Sequence, residues 1–279
     1  MSYGQIKPLF NTPINWGHPL AQGLVASYLF NEGCGDLVHD SCGINDGKMI
    51  NMAPLSPTSG WVSGPHGGAL AFDGGNDYLI VPYNSIFDFG AADFSICFGF
   101  TPKDTVQRGS IFASGSVVTA FSFWIDYHYQ GTRNINIWAS SNGTSWNLIN
   151  ADPGGNGIGA LSLTLNSLND IVVTRNGNNW KSYINTVKDK DLTVAGTIFP
   201  VNSIREIGRQ GSYGYLLRGD LSYFNIFNRV LSAEEIAYLY AFPWCMYDQK
   251  PKVFYSLPNK TKSRRFRESF PIYTEKEFL

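Results

Sequence analysis

Phe94-Ser95-Ile96-Cys97-Phe98-Gly99-Phe100 is the stretch on which the fold class turns. Large apolar residues occupy every second position, so Phe94, Ile96, Phe98 and Phe100 fall on one face of a strand that buries one side. The same period recurs downstream. Phe121, Phe123, Ile125, Tyr127 and Tyr129 share a face of a second strand, and Ile135 and Ile137 mark a third across Gln130-Gly131-Thr132-Arg133. Asp170–Thr174 and Trp180–Ile184 straddle Asn176-Gly177, a favoured hairpin pair. Upstream, Leu24–Phe30 is a strand-like apolar run. Ala69–Phe72 and Tyr78–Val81 flank Asp73-Gly74-Gly75-Asn76-Asp77, which reads as a further hairpin. Strands recur to Phe227. The period then changes: Leu231–Tyr240 has helical spacing, with Ile236, Leu239 and Tyr240 on one side. Ser232 and Glu235 form a capping box, and Pro243 limits extension. Short strands joined by tight turns, followed by one helix, predict an all-β sandwich.

Composition agrees. Of 279 residues, 43% are hydrophobic and 15% aromatic, with 29 Gly and 14 Pro, while only 15% are charged. A chain this apolar is not disordered, and it lacks the Ala, Glu, Lys and Leu content of a helical bundle. No apolar run approaches the roughly 18 residues of a membrane-spanning helix. The periodic pattern fills residues 21–245. Residues 1–20, with Pro8, Pro13 and Pro19, and residues 246–279, with Pro251, Pro258 and Pro271, read as extended arms. The net charge of −1 divides unevenly: residues 250–279 carry eight Lys/Arg and three Glu, so the remainder is acidic. The N-terminus has no apolar leader pattern, which predicts a protein made in the cytoplasm. Cys34, Cys42, Cys97 and Cys245 match no zinc spacing. Cys34 and Cys42 could close a small loop, and reduced thiols are the simpler reading.

Several segments, taken in order, resemble the laminin G-like, or concanavalin A-like, jelly-roll domain. They are Gly23–Gly33, Asp40–Gly47, Ala69–Gly74, Tyr183-Ile184-Asn185 and, most specifically, Leu217–Ile236. The resemblance implies two antiparallel sheets packed face to face with alternating aromatics between them. Asn15-Trp16-Gly17-His18-Pro19-Leu20 and Phe242-Pro243-Trp244-Cys245, flanking the domain, look like laminin G-like proteins carried by tailed bacteriophages, usually virion components.

The fold hosts many functions, so sites must be weighed one by one. Relatives that are glucanases use Glu-x-Asp-x-x-Glu on one strand, which is missing here. Residues 21–245 contain only Glu32, Glu206, Glu234 and Glu235, so a non-enzymatic role is expected. The resemblance implies one structural Ca²⁺, with Asp40 and Asp220 at the matching positions and Asn45 and Asp46 as added oxygen donors. The competing reading has Asp40 and Asp46 capping turns and Asp220 pairing with a nearby base. For carbohydrate, Trp124, Asp126 and His128 on one strand and Asn134, Asn136 and Trp138 on its neighbour lie opposite the apolar positions. Rings to stack on sugars and amides to bond hydroxyls would then line one sheet surface; the alternative is that this face packs against a loop or another subunit.

In the basic arm, Lys262, Arg264, Arg265, Phe266, Arg267, Phe270 and Tyr273 mix charge with apolar anchors. This pattern suits docking in a partner's groove better than nucleic-acid binding. The expectation is therefore a virion structural protein, on capsid or tail, displaying a lectin-like jelly roll and held to other virion proteins by its arms. The alternative is a carbohydrate-binding module for host surface glycans. Oligomeric state, homo-oligomers included, stays open.

Overall fold

The computed structural model describes residues 6–53, 56–103, 107–114, 121–152, 154–211 and 213–248. These belong to one unit, Met1–Asp248. Its strands in chain order are β1 (Leu24–Tyr28), β2 (Leu37–Val38), β3 (Gly47–Ile50), β4 (Gly60–Gly64), β5 (Gly67–Asp73), β6 (Tyr78–Val81), β7 (Phe94–Pro102), β8 (Gly109–Ser114), β9 (Phe123–Tyr127), β10 (Ile135–Ala139), β11 (Asn169–Asn176), β12 (Asn179–Ile184), β13 (Val187–Thr193), β14 (Arg205–Ile207), β15 (Arg209–Gln210), β16 (Tyr215–Leu216) and β17 (Arg218–Phe227); helix α1 is Ala233–Ala241. The first sheet runs β13-β12-β11-β7-β17-β5-β4, with β1 also paired to β17. The second runs β10-β9-β8-β14-β6-β3-β2. All these pairings are antiparallel, which makes a concanavalin-like jelly-roll sandwich.

The period-two residues meet between the sheets. Phe94, Ile96, Phe98 and Phe100 from β7 pack with Phe123, Ile125 and Tyr127 from β9 and Ile135 and Ile137 from β10. Phe121 and Tyr129 depart from expectation. β9 runs only from Phe123 to Tyr127: Phe121 precedes it, and His128 after it adopts φ 65°, so the alternation holds at neither residue and both rings join the outer face instead. The segment Asp73–Asp77 also differs. It does not close a hairpin, because β5 pairs with β4 and β17 in the first sheet, whereas β6 pairs with β3 and β14 in the second. Local turn chemistry fixes a reversal of the chain but not which sheet the next strand joins.

The central part of the outer face of the first sheet is covered by the chain itself. Ile14, Leu20 and Ala21 pack with Ile236, Trp244, Met246 and Tyr247 over Cys97, Val172 and Tyr223. Ile14 and Tyr247 form an antiparallel bridge, with Asn15 N donating to Met246 O and Asp248 N to Pro13 O. Residues 6–20 are therefore seated on the body, and 246–248, assigned above to the C-terminal arm, belong to it as well. α1 keeps its capping box, with Ile236 buried, but Tyr240 is exposed. Among the described residues no helix is long and apolar enough to cross a membrane. The docking residues Lys262, Arg264, Arg265, Phe266, Arg267, Phe270 and Tyr273 lie outside the described residues.

Candidate functional site

The outer face of the second sheet carries the aromatic cluster. β9 and β10 pair with Trp124 opposite Trp138 and Asp126 opposite Asn136. The two indoles stack at 5.5 Å and 23°. Beside them Asp126 is fully buried, and its carboxylate accepts from Asn136 Nδ2 (2.8 Å), Trp138 Nε1 (3.1 Å) and Arg108 Nε (2.6 Å). The Arg108 guanidinium sits inside a ring of aromatics, 4.1 Å from the Tyr129 centroid, 4.3 Å from Trp124, 4.4 Å from Tyr215 and 4.9 Å from Trp138. Burial pushes the Asp126 carboxyl above its ordinary range, although Arg108, Asn136 and Trp138 all oppose that rise.

Of the six residues expected to touch sugar, four thus share β9 and β10 and His128 and Asn134 flank them in the connection, but none is an open platform. Trp124, Asp126, His128, Asn134, Asn136 and Trp138 are all buried. Stacking on a sugar needs an accessible ring face. Here those faces are covered by Trp146 from the turn after β10, by Tyr215 of β16 and by Tyr129. Asn134 is likewise committed, donating to Gly159 O and accepting from Ser162 Oγ. These residues are the floor of the site, and the reading in which the face packs under a loop describes them.

Its upper layer is aromatic and open. Tyr213, 46% exposed, stacks on Trp124 at 6.1 Å and 20°. Trp146 lies 5.9 Å from Trp124, and Phe121 meets Trp146 edge-on at 4.8 Å. Both are half-buried. Hydroxyls and amides surround Trp146 in its own turn, where Asn142 takes the N–H groups of Thr144 and Ser145, and Asn147 takes that of Ser141. Accessible ring surface beside amides and hydroxyls is what a neutral saccharide requires. The sequence signal for this layer was a tryptophan set in Ser145-Trp146-Asn147, a polar turn with no strand period to bury it.

The expected calcium donors do not fit a common ion. Both Asp40 oxygens are used inside the loop, accepting from Ser27 N (2.8 Å), Cys42 N (3.0 Å) and Asn45 N (3.2 Å). Asp46 accepts from Asp40 N and pairs with His39. The Asn45 carbonyl accepts from Tyr28 OH. Asp220 pairs with Lys103 at 3.3 Å. It stands four positions along β17 from Phe224, the partner of Tyr28, which bridges Asp40. At the strand rise this is about 13 Å from the loop, too far for one coordination shell of 2.3–2.6 Å bonds. Among the described residues no group of three or more His, Cys, Asp or Glu side chains could hold a metal.

Cys34 and Cys42 are free thiols, the first exposed and the second half-buried. The four glutamates have partners of their own: Glu206 with Arg209, Glu235 with Arg229, Glu234 with Ser232 and Glu32 with the His39 N–H.

Comparison with known proteins agrees with the architecture. Residues 73–237, more than half of the chain, match the Laminin_G_3 family, described as the concanavalin A-like lectin/glucanases superfamily. No curated protein matches the chain in sequence. Among solved structures, it is similar to domain 4 of an extracellular arabinanase from Geobacillus stearothermophilus in complex with arabinotriose. That similarity has TM-score 0.58 and 16% identity, covering 77% of this chain and 97% of the other. It is also similar to the binding domain of Paraclostridial Mosquitocidal Protein 1, with TM-score 0.58 and 17% identity over 78% of this chain and 52% of the other. Trypanosoma rangeli sialidase matches with TM-score 0.56 and 16% identity, over 81% of this chain and 34% of the enzyme. The chain thus spans about half of the toxin binding domain and a third of the sialidase. At these identities the likeness is one of fold, and with the family match it establishes that the chain belongs to the concanavalin A-like lectin/glucanase superfamily.

Proposed function

We propose that the protein is a non-enzymatic carbohydrate-binding module whose contact surface is the outer aromatic layer of exposed Tyr213 and half-buried Phe121 and Trp146. The supporting observation is the stacked pair Tyr213 on Trp124, an accessible ring held by a buried one. A fixed ring loses little freedom when a sugar stacks on it. The arabinanase domain solved with arabinotriose lends support from the same fold. The test is a glycan array followed by titration calorimetry with the best neutral oligosaccharide. Each of Trp146→Ala and Tyr213→Ala is expected to weaken binding about three- to tenfold, the value of one aromatic contact. Equal binding by both variants, or no binding by the wild type, would overturn the reading.

A second reading, display on a tailed-phage particle, draws on the flanking sequences and on the charge division. Residues 250–279 are basic while the rest of the chain is acidic. Because residues 6–20 and 246–248 are seated on the body, anchoring falls to residues 249–279. Chain ending at Asp248 is expected to fold but to be lost from assembled particles. Its incorporation at full occupancy would remove the anchor.

A further inference from the structure

The outer face of the first sheet is open at its β11-β12-β13 end. Two rows of side chains cross it in register: Asn176, Asn179 and Thr193, then Thr174, Lys181 and Asp191. Tyr183 follows two positions along β12, on the same face as Lys181. The opposite face of the same strands is committed to the core through Ile171, Val173, Trp180 and Ile184. The segment Val230–Ala233, leading into α1, forms one wall, tied down by Leu231 N donating to Ser95 Oγ (2.9 Å). The result is a groove of about 420 Å³ lined by Thr174, Asn176, Asn179, Lys181, Tyr183 and Asp191. That lies in the range of roughly 300–1,000 Å³ for small-ligand sites.

The charges in the groove are unequal. Asp191 is already paired with Lys188 at 2.8 Å, and that ammonium holds its carboxyl below the ordinary value. Lys181 feels Asp191 but makes no ion pair within 4 Å among the described residues. Asn179 Oδ1 accepts from Thr193 Oγ1, which leaves its amide N–H groups as donors. One cation, amide donors and a tyrosine ring on a sheet face match a ring-shaped polyol that carries one carboxylate.

We propose that this groove is a second saccharide site, selective for glycans bearing a carboxylate, with Lys181 pairing the carboxylate and Asn176 and Asn179 serving the hydroxyls. It shares no residue with the Trp146–Tyr213 surface, so the two succeed or fail separately.

The test prints matched neutral and carboxylated (uronate and sialylated) oligosaccharides on one array. Wild type, Lys181→Gln, Lys181→Arg and the double variant Trp146→Ala/Tyr213→Ala are then compared. Lys181→Gln is expected to lower carboxylated-glycan binding at least about tenfold, the value of a charged hydrogen bond. Lys181→Arg should retain most of it, and the double variant should bind these glycans as the wild type does. Thermal melts confirm that each variant is folded. Absence of carboxylated-glycan binding, binding unchanged in Lys181→Gln, or an equal loss of neutral glycans in Lys181→Gln would each overturn the assignment. Loss confined to the double variant would leave the aromatic surface as the site and remove the groove.

Discussion

Arg108→Ala is expected to lower Tm on the order of 10 °C at pH 8 and by much less at pH 4. The substitution strands Asp126, a fully buried carboxylate, without its cation. Breaking a buried ion pair from one side costs about 3–5 kcal/mol, and a domain of this size loses roughly 2–4 °C per kcal/mol. The pH dependence follows from the direction of the Asp126 shift. Burial already raises its folded pKa, and Arg108 is the strongest opposing influence, so removing Arg108 raises it further. A carboxyl whose folded pKa exceeds its unfolded value near 3.9 favours folding below that value. The advantage is lost as pH climbs through the raised folded pKa. In the variant, then, the penalty is small in acid, where Asp126 is protonated, and complete once it must ionise. Asp126→Asn added to Arg108→Ala should recover part of the loss at pH 8 and little at pH 4. A Tm drop of equal size from pH 4 to pH 8, unmoved by Asp126→Asn, would mean that the four ring contacts of Arg108 carry the effect and the charge does not. Because Tyr215 and Tyr129 are stacked on the guanidinium, the same variant should also loosen the layer on which Tyr213 rests.

The unequal legibility of this molecule has a physical pattern. Phe94 to Phe100 were readable because a strand's alternation is local and its burial on one side is a property of the strand alone. The Ser232–Glu235 box was readable because both hydrogen bonds close within one helical turn. The aromatic face of β9 and β10 was also visible, although the register that sets Trp124 opposite Trp138 was not. What covers it was not. Tyr213 and Tyr215 arrive from about ninety residues downstream, and no local pattern announces that a remote hairpin will land on a given sheet face. The same limit explains the Asp73–Asp77 turn, whose two strands are divided between sheets by pairings with β17 and β14. It explains the calcium donors too. Asp40 and Asp220 match their positions one by one, yet the register between β1 and β17 holds them apart. The Lys181 groove is built from neighbouring strands, so its residues were within reach of the Asn176-Gly177 hairpin reading. Its charge imbalance, however, depends on Asp191 choosing Lys188.

Lys7→Met is expected to destabilise the fold by on the order of 3 kcal/mol, and more at pH 9 than at pH 6.5. Nothing around Lys7 has a period, and the reading of residues 1–20 as a free arm gave it no task. In the fold its side chain is 7% exposed, and Nζ donates to the carbonyls of Leu29, Gly68 and Ser222, which join the N-terminal segment to three separate parts of the body. Methionine keeps the stem but leaves those carbonyls without their donor, at about 1–3 kcal/mol for each that finds no other partner. Burial lowers the Lys7 pKa to about 7, against a weaker upward pull from Glu32, so the ammonium serves all three carbonyls below that pH and the neutral amine two of them above it. The folded chain therefore binds fewer protons than the unfolded chain between pH 7 and about 10.4. Over that window stability rises with pH, by up to about 1.4 kcal/mol per unit, and the contribution is lost as pH falls through 7. The half-buried Cys42 and buried Cys97 thiols, whose pKa values desolvation raises, act in the opposite sense at alkaline pH. They are common to both proteins and cancel in the difference. Urea denaturation of wild type and Lys7→Met from pH 6.5 to 9 gives that difference directly. A gap that widens with pH places the N-terminal segment inside the cooperative unit, pinned by an amine that sheds its proton near neutrality. A constant gap would leave the three carbonyls as the whole effect, and no gap would mean that residues 6–20 lie on the body without holding it.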